Sequence, residues 1–297
     1  VVIASDDGEE DAVSRLVKIA EDPARAKTDL AERALTTALG HAVSRRDLVS
    51  AEQVARKIVE RYPKSASAAN AVLTLARLSA ETGDFDGAAA HYEAMAAAFE
   101  GDPQALQALE TSAELRLLIG DLDRAVASLS RLAAARKDGD SLARLAEARL
   151  KAGALTAAAE SATAALAADP GNAQAAAVLG ESLLAQQKPA EAEAALLAAG
   201  PALQGAMQTD PESLARVYFL WGEASFARFQ ALGPDQLEQK AQLLQTLQQA
   251  YTSAAQLGGD WAIAGLYRMA RSLEILAATL EQLPEPPGLK ERDRAEL

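Results

Sequence analysis

The chain has 297 residues, of which 49% are hydrophobic and only 4% aromatic; it contains no cysteine and carries a formal net charge of −13. Such an excess of acid argues against a nucleic-acid or anionic-membrane surface, because both need basic patches. The missing cysteines exclude disulfides, thiolate metal sites and cysteine nucleophiles. No apolar run approaches the roughly 18 residues that span a bilayer. Much of the hydrophobic content is alanine, the strongest helix former, and β-branched alternation bounded by turn residues is absent, so the sequence reads as all-α.

An acidic lead, Ser5 to Asp11, opens a short helix that ends near Glu21. Its carboxylates lack the alternating spacing and central glycine of a calcium loop and read as a solvated helix start. The opening VVIASDDGEED has no initiator Met, and the expectation is that a leader or an upstream domain precedes it. Pro23 separates this helix from a longer one that runs to about Ser44. Arg45, Arg46 and Asp47 make a turn, and SAEQVARKIVERYP returns as a helix stopped by Pro63, which lacks a donor N–H.

Three blocks then repeat one pattern: ETGDFDGAAAHYEAM, LIGDLDRAVASLSRL and KAGALTAAAESATAALAADP. Gly83, Gly120 and Gly153 lie 37 and 33 residues apart, and each is followed five residues on by an alanine, Ala88, Ala125 or Ala158. A period of this length marks stacked helical hairpins, each touching only its neighbours. The segment PALQGAMQTDP (201–211) breaks the spacing; Thr209 and Glu212 fit a capping box, with Pro211 inside the first turn of a new helix. From there the predicted helices lengthen, to about 212–231, 235–257 and 260–283. LPEPPGL is a proline stop, and KERDRAEL starts another helix. A first helix of a hairpin without its second exposes an apolar face, so the expectation is that the chain continues or that a partner covers this end.

These blocks resemble the tetratricopeptide repeat (TPR), a 34-residue helix–turn–helix. That family places leucine and then a small residue in helix A, glycine at the turn, two spaced alanines in helix B and proline near the end. The fourth unit reads Leu145, Ala146, Gly153, Ala158, Ala165 and Pro170. The fifth reads Leu179, Gly180, Ala192 and Ala199, with Gln187 where the turn glycine would stand. The second reads Leu75, Ala76, Gly83, Ala88 and Tyr92; the third has Gly120 and Ala125 but Ser112 at the leucine position; the first is degenerate. Tyr218, Trp221 and Gly222 fall at helix-A positions, Tyr251 and Ala254 fit a helix B, and Leu266, Met269, Ala270 and Leu273 fit a further helix A. The resemblance implies a right-handed α-solenoid: a helical lead over 1–31, five TPR-like repeats over 32–206 and a longer-helix section over 207–297. The stretch 260–289 also resembles, in general style, long envelope-associated TPR proteins of myxobacteria, some of them linked to gliding motility.

No catalytic constellation is present. The phosphate-cradling glycine loops, H-E-x-x-H and G-x-S-x-G are all missing. The two histidines, His41 and His91, fall in different units without carboxylates at metal-site spacing and read as surface or seam residues. The residues imply no cofactor and a non-catalytic chain. What the resemblance does imply is a groove whose wall is helix A, with inward positions Asn70, Thr74, Arg77 and Glu81, then Gln107, Glu110, Thr111 and Glu114, then Arg144, Glu147 and Lys151, then Gln174 and Glu181. Polar side chains there suit an extended or helical peptide, although a plain solvated face with an i,i+4 pair such as Arg77 and Glu81 has the same pattern.

The carboxylate clamp of TPR co-chaperones maps onto Leu73, Arg77, Thr111, Asp140 and Arg144, of which only Arg144 agrees, so a chaperone tail is not the expected ligand. Eight of the twelve aromatics lie between Tyr218 and Tyr267. Tyr218, Trp221 and Phe226 share a face and read as core, while Phe219, Phe229 and Trp261 are left between core and binding surface. The expected partner is a protein or peptide segment, with no nucleic acid, no membrane insertion and an end-to-end or homo-oligomeric contact at the open end. A structural spacer and a regulatory domain of a larger enzyme are the alternatives. The compartment stays open between a bacterial periplasm or envelope and a cytoplasm.

Overall fold

The computed structural model describes residues 9–24 and 28–282, and no strand occurs among them. The chain divides into two compact units, Val1–Arg136 and Lys137–Leu297. The first holds α1 (Glu9–Glu21), α2 (Asp29–Ser44), α3 (Leu48–Arg61), α4 (Ala66–Glu81), α5 (Phe85–Ala98), α6 (Pro103–Leu118) and α7 (Leu122–Arg136). The second holds α8 (Gly139–Lys151), α9 (Leu155–Ala168), α10 (Ala173–Ala185), α11 (Pro189–Ala199), a 3-10 turn (Gly200–Gly205), α12 (Ala206–Thr209), α13 (Pro211–Ala231), α14 (Leu237–Leu257) and α15 (Gly259–Glu281). In each unit successive helices pack on one another. In the second, α8, α10 and α13 also lie side by side, with α15 against α13. The result is an all-α solenoid of hairpins. The segments LPEPPGL and KERDRAEL, and the lead before Glu9, fall outside the described residues.

One turn design serves the five hairpins α2/α3, α4/α5, α6/α7, α8/α9 and α10/α11. A left-handed residue ends each helix A: Arg46 (φ 58°), Gly83 (81°), Gly120 (79°), Gly153 (75°) and Gln187 (61°). The amide after it reaches back to the carbonyl five residues earlier, as from Asp121 to Arg116 (2.8 Å), Ala154 to Arg149 (2.9 Å) and Lys188 to Leu183 (2.9 Å). This Schellman closure satisfies carbonyls that the helix end would otherwise leave open. Helix starts are equally regular: the side chains of Ser65, Asp102, Asp138, Asn172 and Asp210 accept from first-turn amides of α4, α6, α8, α10 and α13. The degenerate first unit therefore builds a full hairpin, with Arg46 in place of glycine.

Two local expectations are corrected. Thr209 does not cap α13; it closes α12, its hydroxyl facing the Gly205 carbonyl at 3.4 Å, and the cap is Asp210, which has the extended φ of −149° and accepts from Ser213 N at 3.1 Å. Phe226 does not share a core with Tyr218 and Trp221: those two pack with Leu203, Leu214 and Val217, whereas Phe226 joins Phe229, Leu247 and Tyr251.

Small residues set the spacing within hairpins. A Cβ added to Gly180 would meet Leu196 side-chain carbons at 2.9 Å, and one on Gly222 would meet the Tyr251 ring at 2.3 Å. Alanine covers the remaining contacts; Ala146, Ala158, Ala162 and Ala165 are fully buried. Twice, however, an acid on a second helix is clasped by a serine and an arginine of a later first helix. Ser112 donates to Glu93 Oε1 (3.1 Å), and the fully buried Arg116 binds Glu93 (2.8 Å from Nε), Asp121 (3.3 Å) and Asp86. Ser225 donates to the buried Glu193 (2.9 Å), which also binds Arg228. Ser112 at the leucine position is thus part of an ionic seam. The cluster answers the rule that a buried charge needs partners on every side.

The turns give a test with opposite signs. Gly153 has nothing within 4 Å of an added Cβ, so Gly153→Ala should lose about 1 kcal/mol from left-handed strain alone. Gln187→Gly should instead gain up to about 1 kcal/mol by relieving the same strain. Urea unfolding of both variants measures the pair.

Candidate functional site

In the second unit α8, α10 and α13 each carry a leucine or tryptophan, then a small residue; Gly180 and Gly222 face Leu196 and Tyr251 of their own hairpins, while Leu179 and Trp221 pack toward the preceding one. The residue after them lies 100° further round and emerges on the wall where first helices meet. In the second unit this third position is glutamate each time: Leu145-Ala146-Glu147, Leu179-Gly180-Glu181 and Trp221-Gly222-Glu223. Because α8, α10 and α13 lie side by side, one guanidinium bridges two of these acids: Arg216 Nη1 donates to Glu147 (3.0 Å) and Nε to Glu181 (3.2 Å). Lys151 Nζ stands 3.8 Å from Glu147. Burial works against the charge of Arg216, but Glu181 and Glu147 outweigh it and raise its pKa. Glu223 is held by Arg268 (2.7 Å) and by the Tyr251 hydroxyl (2.8 Å). Burial first, and the Glu223 charge second, push that phenol far above the usual tyrosine range.

Beside this ion-paired row opens a cavity of about 470 Å³ lined by Glu181, Leu184, Phe219, Glu223, Trp261 and Arg268, among others. The rings of Phe219 and Trp261 are half-buried, with centroids 5.2 Å apart and planes tilted by 40°, so they form an apolar floor. Phe229, by contrast, is fully buried core. The aromatic group is therefore divided: Phe219 and Trp261 face the cavity, and Phe229 does not.

The first unit has a cavity of about 490 Å³ lined by Arg46, Leu48, Thr74, Arg77, Leu78 and Glu81, among others. Thr74 is nearly buried, and its hydroxyl is turned to the Asn70 carbonyl at 2.8 Å. Arg77 and Glu81 are exposed. On α6, Glu110 binds Arg136 (2.9 Å), Thr111 donates to the Gln107 carbonyl (3.1 Å), and Gln107 and Glu114 are exposed. The structure thus gathers Thr74, Arg77 and Glu81 at one cavity and Glu147, Lys151 and Glu181 along one row. Asn70, Gln107, Glu110, Thr111, Glu114, Arg144 and Gln174 line neither cavity. Asp140, at a clamp position, accepts from Asn172 Nδ2 (3.0 Å).

Sequence reasoning missed Arg216, Glu223, Arg268 and the cavity role of the Phe219–Trp261 pair. Glu223 was within reach, since it stands at the same offset as Glu147 and Glu181. Arg216 and Arg268 carry no comparable signal, because each acts on a helix other than its own. Among the described residues, no group of three His, Asp or Glu side chains is placed to hold a metal ion.

No family model matches the chain, and no curated protein matches it. Solved structures do. A chain of the Naa15/Naa10 complex bound to HypK-THB aligns with a TM-score of 0.54 at 14% identity, over 84% of this chain and 39% of that one. YrrB, described as a TPR protein with an unusual peptide-binding site, aligns with a TM-score of 0.44 at 16% identity, over 68% of this chain and 95% of its own. MamA from Desulfovibrio magneticus RS-1 aligns with a TM-score of 0.40 at 15% identity, over 60% and 97%. The likeness is one of fold, and the fold is TPR-like.

Arg216→Met removes the bridge and leaves Glu147 and Glu181 facing each other. The expected result is a loss of about 1–2 kcal/mol in urea unfolding, smaller at high salt. Arg216→Lys should recover less than half of it, since an ammonium cannot span two carboxylates as a planar fork does.

Proposed function

We propose that this TPR-like α-solenoid is a non-catalytic scaffold that binds a protein or peptide segment on the first-helix wall of its second unit. The observation that carries this is the half-buried Phe219–Trp261 pair flooring a cavity whose rim alternates Glu181, Glu223 and Arg268. An apolar floor with a few fixed charges is the anatomy of a small recognition pocket. Aromatic anchors in such positions dominate binding energy, and the surrounding polar contacts set register.

The ligand that fits is a helical or extended segment that places one apolar side chain over Trp261 and a basic side chain at Glu181, whose carboxylate is 41% exposed although it shares Arg216. Among the described residues, no helix is long and apolar enough to cross a membrane. The style of residues 260–289 supports a setting in a bacterial envelope or motility assembly, and that setting is part of the proposal. A second reading has its own observation: Arg46, Asp47, Arg77 and Glu81 line the first-unit cavity beside the exposed Val43 and Leu48, an arrangement suited to a segment that carries both charges and an apolar side chain.

Peptides selected by display against the full chain provide the test. Trp261→Ala should weaken their binding at least about 10-fold and Glu181→Lys by a similar factor, with helical content unchanged. Selected peptides that bind both variants as tightly as the parent, but lose affinity for Arg77→Glu, would move the site to the first unit. Binding unaffected by all three changes would contradict both readings.

A further inference from the structure

The last described helix, α15, buries one face and leaves the other bare. Gly265, Ser272 and Thr279 are buried seven residues apart, and Met269, Ile275 and Leu276 pack beside them against the Phe229–Tyr251 core. On the opposite side, Ile263 is 71% exposed, Leu266 56%, Leu273 46% and Leu280 49%, with Ala270 and Ala277 exposed between them. Scattered apolar side chains on a surface need no explanation, but these six are not scattered. Ile263, Ala270 and Ala277 are spaced by seven, and so are Leu266, Leu273 and Leu280, offset from the first set by three. That is the a/d seam of a coiled coil, held for three heptads over about 26 Å of helix. A helix that packs only on a globular core keeps a broader 3.6-residue stripe; a strict seam calls for another helix.

The order of residues within the seam identifies the helix. In an antiparallel pair, a positions of one helix meet d positions of the other. When α15 is laid antiparallel on a copy of itself about a two-fold axis between Arg271 and Ser272, Ile263 meets Leu280, Leu266 meets Ala277 and Ala270 meets Leu273. Each inner layer sets a large side chain against a small one, so the two helices can approach closely without a void. The neighbouring e positions are Tyr267, 68% exposed, and Glu274, exposed and paired with Arg271 (2.7 Å). In the same register, the Tyr267 hydroxyl of each copy faces Glu274 of the other, a donor against an acceptor.

The five large side chains, counting Tyr267, present on the order of 500 Å² of apolar surface, at 150–200 Å² for each if fully exposed. That lies at the upper end of what monomers leave bare, and with its flanks it approaches the ~800 Å² per partner of a stable interface. The segment 283–297 is a poor occupant by composition: its leucines, Leu283, Leu289 and Leu297, are six and eight residues apart and are interrupted by three prolines.

We infer that the outer face of α15 is a homodimer interface, closed by an antiparallel α15–α15 pair between two copies of this chain. It shares no residue with the peptide cavity, since Trp261 and Arg268 lie on the other face of the helix, so either proposal can fail without the other. In such a dimer the two cavities would be coupled in copy number, and a ligand presenting two segments would gain from avidity.

Sedimentation equilibrium of the full chain at tens of micromolar should give twice the 31.0 kDa chain mass. Leu273→Glu should weaken association at least about 100-fold with unchanged circular dichroism, because each dimer carries the change twice. Register is read separately. The chain has no cysteine of its own, so the double variant Ala270→Cys, Leu273→Cys should form an intermolecular disulfide under mild oxidation, whereas either single variant should not. Efficient cross-linking of a single variant would mean parallel pairing and would overturn the proposal. So would a parent chain that stays monomeric and gives no intermolecular disulfide in the double variant, the outcome expected if the chain's own segment 283–297 covers the seam. A dimer that persists in Leu273→Glu would place the interface elsewhere and would also overturn it.

Discussion

Paired helices approach until one further methyl group would not fit, and that closeness fixes everything built on them. The plainest instance is Gly222, where the Tyr251 ring occupies the space a Cβ would need. Tyr251 is thereby seated deeply enough that its hydroxyl meets Glu223 and its ring touches Phe219, with centroids 5.9 Å apart. Phe219 in turn leans on Trp261. A chain of contacts therefore runs from a glycine chosen for its size to the aromatic floor of the candidate cavity. A larger residue at 222 would disturb the floor without touching any ligand.

The same closeness shapes the electrostatics. A chain with an excess of thirteen negative charges stacks acidic first helices edge to edge, and like charges at that range repel. The structure answers with arginines placed one or more helices away from the acids they serve: Arg216 across α8 and α10, Arg268 for Glu223, and Arg116 among Glu93, Asp86 and Asp121. These residues hold first helices in register and at the same time commit their charges. The groups at the two cavities that can still meet a partner include the exposed part of Glu181, the aromatic pair and, in the first unit, Arg46, Arg77 and Glu81.

Much of the fold is legible in the residues because the local rules are strict. A left-handed turn residue closes each of the five hairpins from α2/α3 to α10/α11, and even Gln187, which lacks the glycine, takes that conformation at the predicted place. The residue following the leucine–small pair is the one the sequence assigns to the first-helix wall, and Glu147 and Glu181, both at that offset, share Arg216. Legibility fails where a side chain acts across the stack. Ser112 looks like a defect in the repeat until Glu93 is seen behind it. Arg216 lies beyond the irregular segment 201–211, where the repeat count is lost, and its two partners belong to other hairpins. Leu266, Met269, Ala270 and Leu273 are read alike as helix-A positions, yet Met269 packs on the core while Leu266, Ala270 and Leu273 stay exposed among the described residues, a division the single-sequence pattern does not show.

The claim that close approach at Gly222 supports the site is best tested by equilibrium urea unfolding of Gly222→Ala. Intrinsic fluorescence suits the purpose, because the chain's two tryptophans, Trp221 and Trp261, adjoin this contact and report on it. The account predicts a loss of about 2–3 kcal/mol, the upper range for forcing a methyl group into a packed interior, with a change in native-state emission as Tyr251 and Phe219 are displaced. A variant within about 0.5 kcal/mol of the parent, the range of an unremarkable surface substitution, with unaltered emission, would contradict it.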